Sequence, residues 1–298
     1  MRNTICPFCK SMQVDVLYLV KDWYLNIINN FFFVVQCKKC RLARLDYLPI
    51  QEDINKIYPK EYFSQPNVIS HIVKFIFMKK EVMKWKKLLP AKSKVLEIGC
   101  GNGELLNYFY KIGKFDVVGI EQNVYICNFA KEKYGLEIIN ADVEEYDLGE
   151  KRYDLVLMQH VLEHLKDPID VIKKIHRALK EGGYLVIWIP FFDSLEQKIF
   201  GRYWAGFDAP RHLYFFSVDK ITEILTEYGF SVKEVNYSAI PNLWIKSIRY
   251  FMKDKNIPFY SFFDDRKNIF LLSIFTIVSL ICSFFKLSGQ GKIVAQKV

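Results

Sequence analysis

The 298-residue sequence carries no internal repeat and no low-complexity tract, and 51% of it is hydrophobic, so global disorder is excluded and a full core is possible. No Walker lysine accompanies its glycine cluster, which removes the usual phosphate-cradling loop. No RNP-type pattern is present, so a dedicated single-strand RNA platform is not expected. The start, MRNTICPFCK, lacks an apolar core of signal-peptide length, giving the expectation of a reducing cytosol around the main domain. Cys100, Cys127 and Cys282 lie in apolar surroundings and are expected to be reduced, buried thiols. What is present is a formal charge of +9 and an aromatic fraction of 16%. The charge favours an anionic partner, whether RNA, a phosphorylated metabolite or an anionic bilayer.

Hydrophobic patterning divides the chain into four segments. Residues 1–45 hold the cysteine pairs CPFC and CKKC around the β-rich run Phe31 to Val35. Residues 46–93 begin with a proline- and tyrosine-rich linker or lid, then a helix over His71 to Leu89 whose stripe is Phe75, Met78, Val82, Trp85 and Leu89. Its other faces carry Lys74, Lys79, Lys80, Lys84, Lys86 and Lys87, read as a solvated surface.

Residues 94–240 alternate strands and helices, with apolar strands expected at Val95 to Ile98, Asp116 to Ile120, Glu137 to Ile139, Tyr153 to Met158, Tyr184 to Ile189 and Phe230 to Tyr237. Continuous apolar strands suit a parallel sheet covered on both faces, hence a doubly wound, Rossmann-like α/β domain. Residues 241–288 form an apolar helical insertion, and GKIVAQKV within 289–298 supplies the seventh strand.

The segment VLEIGCGNGELL places Glu97 at a strand end and Gly99, Gly101 and Gly103 in the following turn, a device that lets backbone approach a ligand closely. The dinucleotide fingerprint requires another glycine where this chain has Glu104, so nicotinamide and flavin cofactors are disfavoured. Glu121 ends the second strand, where a carboxylate can accept from a ribose diol, and Gln122 follows it. Asp142 and Val143, just past the third strand, lie where an adenine ring would sit. Gln159 and His160 end the fourth strand. The run HVLEH also spells an inverted zinc-protease signature, set aside because it directly follows a sheet strand and Asp167-Pro168 starts a new helix almost at once.

VLEIGCGNG, VGIEQN, NADVEEYDL, YDLVLMQHVLEHLKDP, LKEGGYLVIWIP and RHLYFFS together resemble the class I S-adenosylmethionine-dependent methyltransferases, in the branch of the ubiquinone-biosynthesis O-methyltransferases. The resemblance covers about Tyr58 to Ser217. It implies the seven-stranded class I fold with S-adenosylmethionine as methyl donor. The glycine loop would pack on the methionine portion, Glu121 would hold the ribose and Asp142 would meet the adenine. Such a transfer needs alignment and, for an oxygen or carbon acceptor, a base, for which His160 and His212 are the candidates. Arg211 could pair with an acceptor carboxylate or phosphate, or equally with Asp208 to hold its loop, and Tyr62 in the lid is a further acceptor contact.

Cys6, Cys9, Cys37 and Cys40 have the spacing of a closed structural zinc site. The module resembles the zinc-binding start of sugar C-methyltransferases and certain ribosomal RNA methyltransferases, which implies a part in shaping the acceptor pocket. The uncharged run Ile269 to Phe285 is at the lower edge of spanning length. A crossing would strand the seventh strand, so a hairpin of apolar helices, including Trp244 to Phe251 and Phe259 to Phe263, is expected to dip into one leaflet. The expectation is therefore a cytoplasmic enzyme, peripheral or monotopic at the membrane, acting on a small-molecule, sugar- or lipid-linked acceptor. An RNA methyltransferase and a noncatalytic S-adenosylmethionine-binding scaffold are the alternatives.

Overall fold

A computed structural model describes residues 5–50, 56–58, 68–264 and 268–298, with the side chains of 68–74 outside the description. Strands β1 (Val14–Lys21), β2 (Phe31–Cys37) and β3 (Ala43–Leu45) come first, followed by helix α1 (Val68–Leu88). Next come β4 (Lys94–Ile98), α2 (Glu104–Tyr108), β5 (Asp116–Glu121), α3 (Val124–Tyr134), β6 (Glu137–Asn140), β7 (Tyr153–Gln159), α4 (Pro168–Ala178) and β8 (Leu179–Pro190). The order closes with α5 (Leu195–Phe200), β9 (Tyr214–Phe215), α6 (Val218–Glu227), β10 (Phe230–Tyr237), α7 (Asn242–Asp254), α8 (Ile269–Phe284) and β11 (Gln290–Lys297).

The seven-stranded sheet has the order β10-β11-β8-β7-β4-β5-β6. Its stretch from β8 to β6 is parallel throughout. The chain enters at β4, winds outward to β6, then returns to β7 on the other side of β4. The carboxyl ends of β4 and β7 thus flank the topological switch point, where ligands bind in open α/β sheets. This is the expected Rossmann-like methyltransferase architecture, with strand bounds close to those read from the apolar runs. β8 starts earlier than expected: Leu179 pairs with Tyr153, and the register resumes beyond a bulge with Tyr184 opposite Leu155.

Two compact units divide the chain, and they do not follow its linear segments. The sheet unit comprises Pro66–Trp188, Ile224–Glu234 and Ile293–Val298. Its core joins Val82 and Trp85 of α1 with Leu105, Leu106 and Phe109, and with Val95, Val117 and Leu155 of the strands. Met78 and Leu89 pack partly against that core, whereas Phe75 at the start of the stripe stays 40% exposed beside Tyr108. Helix ends follow the local signals. The Asn123 side chain accepts from the amides of Tyr125 and Ile126, Asp167 accepts from Ile169 and Asp170 ahead of Pro168, and Gly135 closes α3 at φ +65°.

The module unit comprises Met1–Gln65, Ile189–Glu223 and Val235–Lys292. Its four-stranded sheet has the order β1-β2-β3-β9, so a strand from the RHLYFFS segment completes the sheet of the cysteine module. Ala43 lies opposite Phe215 and Arg44 opposite Tyr214. One core beneath it joins Val20, Phe32, Val34 and Leu45 to Trp204, Phe207 and Phe215.

The apolar insertion resolves into α7 and α8. Among the described residues no helix is long and apolar enough to cross a membrane. The expectation that Trp244 to Phe251 dips into lipid is corrected: Trp244, Ile245, Ser247 and Tyr250 of α7 are buried against their own unit, with Trp23, Tyr203 and Ala205 beside Tyr250. The buried side chains recur at one-turn spacing and define the inward stripe of a packed helix.

Candidate active site

β4 runs out into the glycine loop, whose Gly99 and Cys100 amides donate to the Ile120 carbonyl at 2.8 and 3.1 Å, fixing the loop to β5. Gly99 sits at φ +65°, and a Cβ there would lie 2.4 Å from Val161 Cγ2. Gly101, at φ +51°, has nothing within 4 Å of a Cβ position, so its backbone borders open space that a ligand could fill. Gly103 caps α2 at φ +73°.

Glu121 is buried at the end of β5 and binds this loop directly. Its Oε2 accepts from the Gly101 amide at 3.0 Å and its Oε1 from the Asn123 amide at 2.8 Å. Burial raises its pKa above the usual carboxylate range, while the amides of Asn123, Gly101 and Gln122 pull it back. Each oxygen retains capacity for a further donor, as a ribose diol requires. Glu97 is 2% exposed within the sheet, whereas Gln122 is exposed on the loop beyond Glu121.

Past β6, Asp142 accepts from the Glu144 amide at 2.9 Å, and Val143 is buried beside it. The turn is held in place by two residues that sequence reasoning missed. Glu144 Oε1 accepts from the Asp167 amide at 2.7 Å, at the head of α4, and Lys174 donates to the carbonyls of Val143 and Glu144. Both act between elements distant in sequence, and no local pattern announces them.

Gln159 is half-buried at the end of β7, and His160 follows at φ +54°, an uncommon conformation for a residue with a Cβ. Its amide donates to the Trp188 carbonyl at 3.0 Å, and its Nδ1 lies 3.2 Å from Oε1 of the fully buried Glu163. The side chain remains 36% exposed. Glu163 was also missed, although its position three residues after His160 was a usable signal. Leu162–His164 is a single 3-10 turn, so the two histidines of HVLEH do not share the helix a zinc protease needs.

The module unit holds the remaining candidates. The Arg211 side chain is fully buried. Its Nη2 donates to Asp208 Oδ1 at 2.7 Å and to Asp22 Oδ1 at 2.8 Å, and its Nη1 donates to the Ile57 carbonyl at 3.4 Å. The structure favours the other expectation over acceptor binding, because the fully buried guanidinium is committed to two internal carboxylates. His212 is 8% exposed, its Nδ1 lies 2.8 Å from the Gly206 carbonyl, and its Nε2 lies 3.9 Å from Asp208 Oδ2. A carbonyl can only accept, so Nδ1 carries a proton and Nε2 is the basic nitrogen of the neutral ring. Tyr62 lies outside the described residues.

The sulfurs of Cys6, Cys9, Cys37 and Cys40 all lie within 4.8 Å of one another, with Cys6 to Cys40 at 3.5 Å and Cys9 to Cys37 at 3.4 Å. Tetrahedral vertices around zinc are separated by about 3.8 Å, so the donor set and its spacing fit that ion. Burial pushes the Cys6 and Cys40 thiols up, whereas at Cys37 the amides of Cys40 and Lys39 and the Cys9 side chain outweigh burial and bring the pKa down to about 6. Amides aimed at a sulfur in this way stabilise the thiolate that a metal needs.

A family model described as "Methyltransferase domain" matches residues 67–235. Among curated relatives, the chain is 34% identical over 98 residues to a ubiquinone biosynthesis O-methyltransferase of Cereibacter sphaeroides, covering 31% of this chain and 39% of that one. It is 33% identical over 114 residues to a tRNA U34 carboxymethyltransferase of Pseudomonas aeruginosa, covering 35% of each. The chain thus spans well under half the length of either relative. Among solved structures, a SAM-dependent methyltransferase from Archaeoglobus fulgidus superposes with a TM-score of 0.50 at 19% identity, covering 74% of this chain and 93% of that one. The match to more than half of the chain, carried on this sheet and its glycine loop, means that the chain belongs to the methyltransferase-domain family and is an S-adenosylmethionine-dependent methyltransferase of class I fold.

Proposed function

We propose that the protein transfers a methyl group to a small-molecule, sugar- or lipid-linked acceptor, with His160 as general base. The observation that carries this reading is the His160–Glu163 pair. A buried carboxylate 3.2 Å from Nδ1 keeps the proton on that nitrogen and leaves Nε2 as the base, on a half-exposed ring beside the switch point. Glu97, Gly99, Gly101, Gly103, Glu121, Gln122, Asp142, Val143 and Gln159 would hold the donor. S-adenosylmethionine supplies there a methyl group already activated on sulfonium sulfur. His160 accepts the acceptor's proton as the new bond to methyl forms. Glu163 stabilises the resulting imidazolium, and the protein otherwise works by alignment. Zinc, held by Cys6, Cys9, Cys37 and Cys40 with no open position, would be structural and would brace β3, whose partner β9 begins two residues after His212. His212 is a second candidate base or an orienting group for the acceptor. A lipid-linked acceptor would place the enzyme at the cytoplasmic face of a membrane.

The test is His160→Gln, assayed with radiolabelled S-adenosylmethionine and a total lipid extract as acceptor pool. Turnover should fall by about two to three orders of magnitude, with donor affinity by calorimetry unchanged. Undiminished turnover sinks the assignment. A second reading, an RNA acceptor, is favoured by the tRNA-modifying relative and the charge of +9, and it requires labelled transfer to tRNA with a steep salt dependence of binding.

A further inference from the structure

Helix α8 presents two apolar faces, of which only one is covered among the described residues. Leu271, Ser279 and Cys282 are buried, Phe275 stacks on Trp244 at 6.2 Å, and the Ser283 hydroxyl donates to the Tyr237 carbonyl, so one side of the helix is fixed against its own unit. On the opposite side Phe270, Ile274, Ile277, Ile281 and Phe284 recur at one-turn spacing and are 68%, 41%, 61%, 54% and 81% exposed. A helix packed on a protein normally turns charge toward water on that side. Here the outward arc carries none, and its exposed hydroxyl residue bonds its own helix: Ser273 Oγ donates to the Ile269 carbonyl at 2.9 Å. Thr276 does the same to Leu272 at 2.7 Å. Hydroxyls that satisfy themselves on their own backbone need no water.

We infer that the outer face of α8 is an in-plane anchor for an anionic phospholipid bilayer. Sixteen residues make a helix about 24 Å long, short of the about 30 Å needed to cross hydrocarbon, so the helix would lie in the interface. Exposed aromatic residues flank it, with Phe259 and Phe262 before it and the edge-on pair Phe284 and Phe285 at its end. Exposed Lys253 and Lys255 precede these and Lys286 follows them, while Ile269 to Val298 contains no Asp or Glu. Asp264, the nearest preceding acid with a described side chain, lies 3.8 Å from Arg249. Positive charge beside an apolar strip is complementary to anionic headgroups over acyl chains. A protein partner is disfavoured because its interface would be expected to offer hydrogen-bonding groups at the rim, and this arc offers none beyond the self-satisfied serine. The inference deepens the lipid-linked reading of the acceptor and rests on it for its purpose, while its test is independent of catalysis.

The full chain should co-sediment with sucrose-loaded vesicles of phosphatidylcholine mixed with phosphatidylglycerol, and much less with phosphatidylcholine alone. The double variant Ile277→Glu, Phe284→Glu should lose at least about tenfold in partitioning, while its melting profile and donor affinity stay those of the parent. Phe270→Ser, a milder change at an exposed site, should lose a smaller part. Parent protein that remains in the supernatant with both vesicles overturns the inference. So does a parent dimer that the double variant converts to monomer, since the covering surface would then be a second copy. Vesicle binding without methyl transfer to any lipid would remove the lipid-linked acceptor and leave the anchor standing.

Discussion

The sheet unit and the module unit solve the same problem, holding reactive groups still, by opposite means. In the sheet unit the two groups at the strand ends are held from within about twenty residues: backbone amides two and twenty positions away hold Glu121, and a carboxylate three positions away holds His160. In the module unit it is done by side chains from remote segments, as when Arg211 bridges Asp208 and, 189 positions away, Asp22.

The sharpest way to break that contrast is to remove the zinc proposed for Cys6, Cys9, Cys37 and Cys40. Stripping the metal with a strong chelator should unfold the cysteine module, because four unpaired thiolates cannot replace a site whose binding supplies about 10 kcal/mol of folding energy. Hydrogen exchange should then lose protection across β1, β2, β3 and β9 while β4 to β7 keep theirs, and donor affinity should change by less than about threefold. Equal loss in both units would show that they are one cooperative body. Protein purified without chelator and found to hold no stoichiometric zinc would remove the metal altogether.

Arg211→Ala comes next in size. Asp22 and Asp208 would be left inside the unit without their cation, a loss of about 3–5 kcal/mol, seen as a fall of about 10 °C in the melting temperature. Arg211→Lys should recover only part, since a point charge cannot serve both carboxylates and the Ile57 carbonyl at once. Had Arg211 been an acceptor ligand, the lysine variant would retain full stability and show its defect in KM alone.

The same contrast decides what could be read from the sequence. The apolar runs located the strands, Asp167-Pro168 marked a helix start, and the glycine spacing located the loop, because each signal acts over a few residues. The partnership of β3 with β9 and the Asp22–Arg211 pair left no such trace. Arg211 stood equally open to Asp208 or an acceptor, and the buried Asp22 settles it for the interior. The apolar insertion is an intermediate case. Hydrophobicity marked α7 and α8 together, but only packing separates Trp244, turned inward, from Ile277 and Phe284, turned outward.

The smallest effect is the most diagnostic for the sheet unit, because it concerns a single carboxylate. Glu121 is buried, and that burial holds its pKa above the ordinary carboxylate value despite the amides of Asn123, Gly101 and Gln122. A ribose diol donating to it would favour the charged form, so the donor-bound pKa lies below the free one and binding expels a proton between the two. Donor affinity should therefore be full above the free-state pKa and fall as pH drops through it. Stability of the unliganded fold should move the other way. A pKa raised on folding contributes stability that is complete below the unfolded carboxylate value and is lost as pH rises through the folded one. Glu121→Gln should weaken the donor by about tenfold to a hundredfold at neutral pH, the loss of a hydrogen-bonded charge, and should flatten both pH dependences. Calorimetric titration of the two proteins across the acidic range checks this. Persistence of the parent's pH dependence in the variant would move the ribose contact to another acid and leave Glu121 as a clamp on the glycine loop.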